Sequence, residues 1–228
     1  MNTTDPAIVD RPAGRESIRE KLFVSLISDV LDSIGLRNQA LPPRIRCLDE
    51  DLILLGRART GLYRDVYHVE PNHNPYELEI KLVDDLQPAD VAVLACGASG
   101  RIAPWGSLLT TASIARGAAG CLTDGFVRDV RTIRKLGFPV FHGGIGPLDS
   151  KGRGEVAAID VPVEVAGVRV CPGDLVFGDA DGVVVIPSHV EADVLARAFE
   201  RLDGEHKTEE ALRSGEKLAD VFSRFGVL

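Results

Sequence analysis

The sequence predicts a single α/β domain, and three observations support that fold class. Helical and strand-like hydrophobic patterns alternate along the chain, a buried strand at 90–96 leads through a loop and a helix into a second strand, and no linker is long enough to divide the chain. With 228 residues, 45% of them hydrophobic, the chain can bury roughly 70% of the surface that its unfolded form exposes. It therefore needs neither disulfides nor a structural metal to form a core.

The N-terminal part of the chain is predicted to divide at residue 14. Residues 1–14 contain two prolines, one glycine and few apolar side chains, which indicates a flexible arm before a domain that covers 15–228. From Ile18 onwards an apolar residue recurs at every fourth position, and Gly35 stands where a helix-ending glycine is expected. This pattern predicts one helix over about 16–34.

The rest of the chain continues the alternation of strands and helices. Short apolar, β-branched or glycine-interrupted runs predict strands at 52–55, 56–63, 90–96, 120–123, 139–141, 161–170, 175–177 and 183–186. Apolar residues at helical spacing predict helices at 77–86, 108–116, 130–136, 190–202, 209–213 and 218–222.

Charge and cysteine content exclude several classes of protein. The chain has 26 basic and 34 acidic residues, and the resulting net charge of −8 disfavours nucleic acid as a partner. The cysteines are far apart and form no C-x-x-C pair: Cys47, Cys96, Cys121 and Cys171. A disulfide scaffold and a zinc knuckle are therefore disfavoured, and reduced cytosolic thiols fit better. Because the sequence contains neither a signal peptide nor an apolar run of about 18 residues, we expect a cytoplasmic protein without a membrane partner.

A glycine-rich loop at 97–106 is the first candidate binding element. Neither this loop nor Gly143–Gly146 matches a dinucleotide or P-loop motif, so a nucleotide cofactor has no support. The loop leads directly into a helix that begins with Ser107, Leu108 and Leu109. Free backbone amides and the positive end of the helix dipole make that position suitable for a carboxylate, although a purely structural turn is the alternative.

The second candidate is the segment Asp124–Asp129, which follows the buried strand at 120–123. In α/β sheets, loops at the carboxyl ends of strands usually carry the functional site. The adjacent side chains of Arg128 and Asp129 could bind an oxyanion and a divalent metal, respectively; the alternative is an ordinary surface ion pair. The five histidines are scattered, and no serine lies in a G-x-S-x-G motif, so a histidine-rich metal site and a hydrolase site are not supported.

The segment 123–130 reads TDGFVRDV and resembles the DGxVRDV signature of the RraA-like family. That family contains class II pyruvate aldolases, which cleave 4-hydroxy-4-methyl-2-oxoglutarate, and the bacterial regulators of ribonuclease activity. Three further segments agree with the family in the same order: 28–35, 172–187 and 225–228. The resemblance extends over roughly 17–228.

This resemblance implies an α/β/β/α sandwich of the swivelling-domain type, assembled as a homotrimer or homohexamer with active sites between subunits. It implies that Asp129 binds Mg²⁺ or Mn²⁺ directly and that Arg128 contacts the 2-oxo acid substrate. The backbone of Gly106, Ser107, Leu108 and Leu109 is expected to bind the substrate carboxylate. A glutamate of the neighbouring chain is expected to approach the metal-bound waters; Glu205 matches it best, and Glu209 is a second candidate. A water polarised by Glu205 is the expected proton carrier, which makes Glu205 a catalytic residue beside Arg128.

Two positions depart from the aldolases of the family. Ser107 stands where the characterised aldolases tend to carry an acidic residue and other members a glycine, and Thr132 stands where part of the family carries Glu or Asp. We therefore expect a metal-dependent carbon–carbon lyase that acts on 2-oxo acids, as a 4-hydroxy-2-oxo acid aldolase that forms pyruvate, as an oxaloacetate decarboxylase, or as both. Decarboxylation depends least on the missing acidic residue. The alternative is a non-catalytic regulator whose acidic surface binds a protein partner.

Overall fold

The computed structural model describes residues 8–97 and 99–226, with the backbone alone at Asp203. The helices in this part of the chain are α1 (Pro12–Lys21), α2 (Val24–Ser33), α3 (Glu77–Asp84), α4 (Ser107–Ala115), α5 (Val130–Leu136), α6 (Glu191–Arg213) and α7 (Leu218–Phe225). The strands are β1 (Arg46–Cys47), β2 (Leu54–Asp65), β3 (Asp90–Ala95), β4 (Gly120–Thr123), β5 (Phe126–Val127), β6 (Val140–His142), β7 (Gly144–Ile145), β8 (Gly154–Ile159), β9 (Val163–Val165), β10 (Val168–Val170), β11 (Leu175–Asp179) and β12 (Gly182–Ile186).

The main sheet has the strand order β1-β6-β4-β3-β2-β11-β12, and β8 also pairs with the long strand β2. Strands β2, β3, β4 and β6 run parallel to one another, with Thr60 opposite Val93 and Val93 opposite Leu122. Strand β11 is antiparallel to both β2 and β12. Since β3 and β4 are parallel neighbours, the loops that follow them leave the sheet at the same edge.

The parallel half of the sheet buries both of its faces. On β3, the side chains of Ala92 and Leu94 pack with Leu82 of α3 and Ile133 of α5. The alternate side chains of β3 pack on the inner side of the sheet, in a cluster that also contains Val176 of β11. This alternation follows from the two-residue period of a strand, and burial on both faces explains the uninterrupted apolar run at 91–96.

The antiparallel half of the sheet has the same arrangement with a different set of helices. Leu175 and Phe177 of β11 pack against Leu26 of α2 and Leu195 of α6, while Val176 packs inward. The layers are therefore helices, half-sheet, half-sheet and helices. This order confirms the predicted α/β/β/α sandwich in one domain.

The N-terminal region differs from the expectation of a flexible arm up to residue 14. Ile8 and Val9 are 3% and 1% exposed, in the core cluster that contains α2, and α1 already begins at Pro12. These apolar side chains are therefore ordered by the hydrophobic core. The rest of the expected arm, residues 1–7, lies outside the described residues.

The predicted helix over 16–34 is divided into α1 and α2. Leu22 and Phe23 have extended backbone conformations between the two helices. The backbone N–H of Val24 donates to Asp179 Oδ2 at 2.8 Å, so a side chain from the end of β11 satisfies a free amide at the start of α2. In the described ranges, no helix has the length and apolar character needed to cross a membrane.

Candidate active site

The loops after β3 and β4 meet at one edge of the sheet and hold each other in place. Trp105 and Val127 form a parallel β-bridge, and the backbone N–H of Arg128 donates to the carbonyl oxygen of Trp105 at 3.0 Å. Trp105 is fully buried, with its Nε1–H donating to Thr110 Oγ1 at 2.9 Å. The glycine-rich loop and the segment Asp124–Asp129, which the sequence indicated as two separate candidates, are therefore joined by backbone hydrogen bonding.

The carboxylate of Asp129 has a fixed orientation and one oxygen free for a ligand. Asp129 precedes α5 in the left-handed backbone region, with φ of 59°, which aspartate tolerates better than most residues. Its Oδ2 accepts hydrogen bonds from the backbone N–H of Ser107 at 3.1 Å and from Ser107 Oγ at 3.0 Å. No donor within the described part of the chain contacts Oδ1. The free oxygen is the one available to a cation.

Gly106 leaves the space that Arg128 and Asp129 occupy. A Cβ atom at Gly106 would lie 3.0 Å from Asp129 Oδ2 and 3.2 Å from both Cγ and Nε of Arg128. The backbone of Gly106 is extended, with φ of −151°, so any residue could adopt it. Glycine is needed here for space and not for conformation.

The first turn of α4 offers backbone amides to the same region. Thr110 fixes this turn, because its Oγ1 and its N–H both donate to the carbonyl oxygen of Gly106, at 3.0 and 3.1 Å. Leu108 and Leu109 provide the second and third amides of the helix, which have no intrahelical acceptor. Over the described ranges these two amides have no other acceptor either. Together with the helix dipole they can bind a carboxylate.

A cavity of about 230 Å³ lies where these elements meet. Its walls include Arg128, Asp129 and the first turn of α4, together with Tyr76 and Glu79 from the region of α3. That size suits a small organic acid.

The guanidinium group of Arg128 is positioned by a carboxylate in the cavity wall. Arg128 Nη2 lies 3.4 Å from Asp149 Oδ1, and Tyr76 Oη donates to Asp149 Oδ2 at 2.6 Å. Burial and the hydrogen bond to Asp149 raise the pKa of Tyr76 to about 12, so this phenol remains a donor at neutral pH. Asp149 therefore links Arg128 to Tyr76 across the cavity wall.

Glu79 is a buried carboxyl group in the same wall. It is 8% exposed, and its Oε2 accepts a hydrogen bond from the hydroxyl of Tyr63. Burial raises the pKa of Glu79 to about 7, while the Tyr63 hydrogen bond opposes this increase. Burial and the neighbouring Glu79 raise the pKa of Tyr63 well above its ordinary value. The phenol therefore stays protonated and donates, whereas Glu79 titrates near neutral pH.

Asp124, at the start of the predicted segment, has a structural role. It is 5% exposed; its Oδ1 accepts from the N–H of Cys96 at 2.6 Å and its Oδ2 from the N–H of Ala166 at 3.0 Å. Asp124 therefore ties the end of β3 to the turn between β9 and β10. It does not line the cavity that contains Arg128.

Glu205 and Glu209 lie elsewhere in the chain. Both are on α6 and line a separate depression together with Phe23 and Asp29. Arg201 contacts this group, with its Nη2 2.6 Å from Asp29 Oδ2 and its Nε 3.6 Å from Glu205 Oε1. Within one chain the fold does not bring Glu205 into the cavity of Asp129, so a role there requires a second copy.

The sequence predicted Arg128, Asp129 and the turn Gly106–Leu109, and the structure brings them together. It did not predict Tyr76, Glu79 or Asp149. For Glu79 a signal existed: it stands three residues before Leu82 and four before Val83, on the apolar side of α3. A carboxyl group on the buried side of an amphipathic helix indicates either a buried partner or a function.

Comparison with known proteins identifies the family to which the chain belongs. A family model described as "RraA-like: Aldolase/RraA" matches residues 24–185, which include every wall of the cavity. The chain belongs to the RraA-like family. The match confirms the resemblance inferred from the segment 123–130, and it ends before Glu205.

The proteins that this chain resembles include some named as aldolases and one described as a member of an RNase inhibitor family. A Halalkalibacterium halodurans protein provisionally named 4-hydroxy-4-methyl-2-oxoglutarate aldolase is 34% identical over 186 residues, 82% of each chain. A Thermus thermophilus protein named 4-hydroxy-4-methyl-2-oxoglutarate aldolase is 33% identical over 135 residues, which are 58% of this chain and 78% of that protein. The structure of Streptomyces coelicolor RraAS2, described as an unusual member of the RNase ES inhibitor RraA family, aligns with a TM-score of 0.75 and 28% identity, covering 85% of this chain and 96% of that one.

Proposed function

We propose that this RraA-like protein is a carbon–carbon lyase that cleaves small 2-oxo acids with a divalent cation, Mg²⁺ or Mn²⁺. The observation that carries the proposal is the convergence of Arg128, Asp129 and the amides of Leu108 and Leu109 on one cavity of about 230 Å³. A 2-oxo acid can be bound by a guanidinium group at its oxo oxygen, by a metal ion held on a carboxylate, and by backbone amides at its own carboxylate. The relatives named as aldolases support the reaction class.

The residues of the site fit a hard divalent cation. Asp129 offers a carboxylate oxygen without a protein donor, and Ser107 fixes the other oxygen. The described residues contain no group of three or more His, Cys, Asp or Glu side chains that could hold an ion together. Mg²⁺ suits such a site, because it keeps several waters and needs only one or two carboxylates. When bound, the ion supplies a Lewis acid for the 2-oxo group of the substrate.

The protein groups bind and orient the substrate. The amides of Leu108 and Leu109 hold the C1 carboxylate at the start of α4, where the helix dipole favours an anion. Arg128 donates charge-assisted hydrogen bonds to the C2 oxygen, which gains negative charge as the carbon–carbon bond breaks. One such donor typically lowers the barrier by ~3 kcal/mol. Asp149 keeps the guanidinium group at the wall of the cavity.

Two substrate classes share this chemistry. A 4-hydroxy-2-oxo acid loses its C4 fragment as a carbonyl compound, and oxaloacetate loses CO₂. In both reactions the electron pair of the broken bond remains on the same three-carbon acid, as the enolate of pyruvate. One binding site can therefore serve both reactions.

The proposed assembly is a homotrimer or homohexamer in which a neighbouring copy completes the site. Glu205 lies on α6, away from the cavity of its own chain, and is 27% exposed at its side chain. A contact between Glu205 and the Asp129 site therefore has to cross a subunit interface. The names of the aldolase relatives say nothing about assembly, so this arrangement is our own proposal.

The experiment measures pyruvate release from oxaloacetate and from 4-hydroxy-4-methyl-2-oxoglutarate, with Mg²⁺, with Mn²⁺ and with EDTA. Lactate dehydrogenase and NADH report the pyruvate. The Asp129→Asn variant at the same metal concentration is the control for oxaloacetate decay that the free cation catalyses. We expect turnover that requires both metal and Asp129. No turnover of either acid by folded, metal-saturated protein would refute the proposal and favour a binding protein.

A further inference from the structure

The carboxyl group of Glu79 has no role in the binding steps above, although it lines the same cavity as Arg128 and Asp129. We propose that Glu79 is the acid–base residue of this site: it takes the proton of the substrate's C4 hydroxyl group and returns it to C3. This inference rests on the proposed function and assigns the proton transfer to Glu79 of the same chain instead of to a water beside Glu205 of a neighbouring chain.

The geometry leaves one oxygen of Glu79 for the substrate. Glu79 Oε2 accepts the hydrogen bond of Tyr63, a residue of β2 that is only 5% exposed. In the described ranges Glu79 Oε1 has no donor, and the side chain forms no ion pair. The carboxyl group is therefore anchored through one oxygen, while the other can face a molecule in the cavity.

The charged and titratable neighbours of Glu79 come from several elements. Tyr63 lies on β2, Arg128 on the loop after β4, and Asp149 on the loop before β8. Tyr76, just before α3, and Cys96, just after β3, also interact electrostatically with Glu79. The pKa of Glu79 is raised to about 7, chiefly by burial; the hydrogen bond from Tyr63 and the charge of Arg128 oppose this increase, and the charge of Asp149 adds to it. Near neutral pH both the acid and the carboxylate are populated, as proton transfer in both directions requires. A structural carboxyl buried this deeply would normally be paired with a cation.

The proton balance of aldol cleavage needs no further reactant. The carboxylate of Glu79 accepts the proton of the C4 hydroxyl group, and the O–H electron pair becomes the second bond of the new carbonyl group. The C3–C4 bond breaks, and its electron pair forms the C2–C3 double bond of the enolate. The protonated Glu79 then gives its proton to C3, which becomes the methyl group of pyruvate. The carboxylate is restored.

Decarboxylation of oxaloacetate uses only the second half of this cycle. CO₂ leaves without any hydroxyl proton to remove, so Glu79 has to start protonated and takes its proton from solvent after each turnover. Aldol cleavage needs the carboxylate form of Glu79, so it should become faster as pH rises through the pKa of Glu79. In the decarboxylation reaction the enolate is protonated by the acid form, so that step should become slower over the same pH range.

The test compares Glu79→Gln with Glu77→Gln, an equivalent change at an exposed position on the same helix. We expect Glu79→Gln to slow aldol cleavage at least 100-fold. We expect the same loss in the exchange of pyruvate methyl protons with D₂O, followed by NMR. Mn²⁺ binding by calorimetry should stay as in wild type, because Glu79 does not touch Asp129, and the unfolding transition shows whether the variant is folded. Glu77→Gln should behave as wild type in all four measurements.

Tyr63→Phe separates proton transfer from a structural role. The variant loses the donor that holds the pKa of Glu79 down, so the rising limb of the pH profile for aldol cleavage should move to higher pH. The plateau rate above that limb should be retained. If the Tyr63–Glu79 hydrogen bond had only a structural role, Tyr63→Phe would change stability and would leave the rising limb of the pH profile at the same pH.

The outcomes distinguish the two proposals. Wild-type turnover together with near-wild-type rates in Glu79→Gln would overturn the role of Glu79 and leave the lyase function standing. An inactive wild-type protein would overturn both. If Glu79→Gln does not fold, Tyr63→Phe decides, because an unmoved pH limb would exclude Glu79 as the titrating base.

Discussion

Replacing Gly106 by alanine should damage the site without damaging the fold. The added Cβ would lie 3.0 Å from Asp129 Oδ2 and 3.2 Å from two atoms of Arg128, so both side chains have to move by a few tenths of an ångström. The extended backbone of Gly106, with φ of −151°, accommodates alanine without strain. The substitution therefore acts on the two residues that bind cation and substrate, and on little else.

The magnitudes predict that stability hardly changes while activity falls. Replacing glycine by alanine at a compatible position stabilises a protein by about 0.4–1 kcal/mol through the unfolded state. At the start of a helix, alanine is a poorer cap than glycine by about 1 kcal/mol. These terms nearly cancel, so the free energy of unfolding should change by less than about 1 kcal/mol. A misplacement of 1 Å can cost about 100-fold in rate, so a few tenths of an ångström should cost about tenfold in kcat/KM.

Gly100→Ala is the matched control for this prediction. It lies in the same loop, and a Cβ there would meet no atom of the described residues within 4 Å. Urea unfolding gives the stability of both variants, calorimetry with Mn²⁺ gives the affinity for the cation, and the coupled pyruvate assay gives kcat/KM. If Gly106→Ala retained wild-type Mn²⁺ affinity and wild-type turnover, the crowding argument for Arg128 and Asp129 would be refuted.

Four further predictions concern single groups. Asp129→Asn should remove most of the Mg²⁺ and Mn²⁺ affinity measured by calorimetry; unchanged binding would show that the cation is held elsewhere. Arg128→Lys should lower kcat/KM by about 100-fold, nearly as much as Arg128→Ala, because an ammonium group cannot replace the planar fork; a retained rate would make Arg128 a surface charge. After subunit exchange, mixed Asp129→Asn and Glu205→Gln chains should regain activity at interfaces that pair one intact residue of each kind; verified exchange without recovery would reject a shared site. Burial lowers the pKa of His142 to about 4, so the unfolded chain binds more protons than the folded one as pH falls from about 7 to 4, and stability is lost. In urea unfolding, His142→Gln should lose less stability than wild type over that range; equal slopes would contradict the burial argument.

The sequence identified the parts of the site that depend on local structure. Arg128 and Asp129 follow a short buried strand, and the turn from Gly106 to Leu109 begins a helix after a glycine-rich loop. Both features can be predicted from the spacing of apolar residues and from the glycines of the loop, within a stretch of about ten residues each. That they meet follows from the parallel pairing of β3 and β4, which any α/β sheet with consecutive strands produces.

The parts that the sequence did not predict depend on contacts between distant residues. The apolar period runs unbroken through Leu22, yet α1 ends there because Asp179, more than 150 residues away, supplies the acceptor for the first amide of α2. The same holds for Asp149 and Glu79, which reach Arg128 only after α3 and the loop before β8 have packed on the sheet. No local pattern encodes such distances.

This division between local and long-range parts has a functional consequence. The groups proposed to bind cation and substrate lie on backbone that the sheet edge itself fixes, through Trp105, Gly106 and Ser107. The proposed acid–base group lies on a separate helix and, within the described part of the chain, is anchored by the hydroxyl group of Tyr63 alone. Changes on α3 can therefore alter proton transfer while binding remains intact, which is why calorimetry and the pH profile should respond to different variants. The TDGFVRDV segment, through which the chain resembles its family, contains residues proposed to bind cation and substrate. It contains no information about the acid–base group on α3.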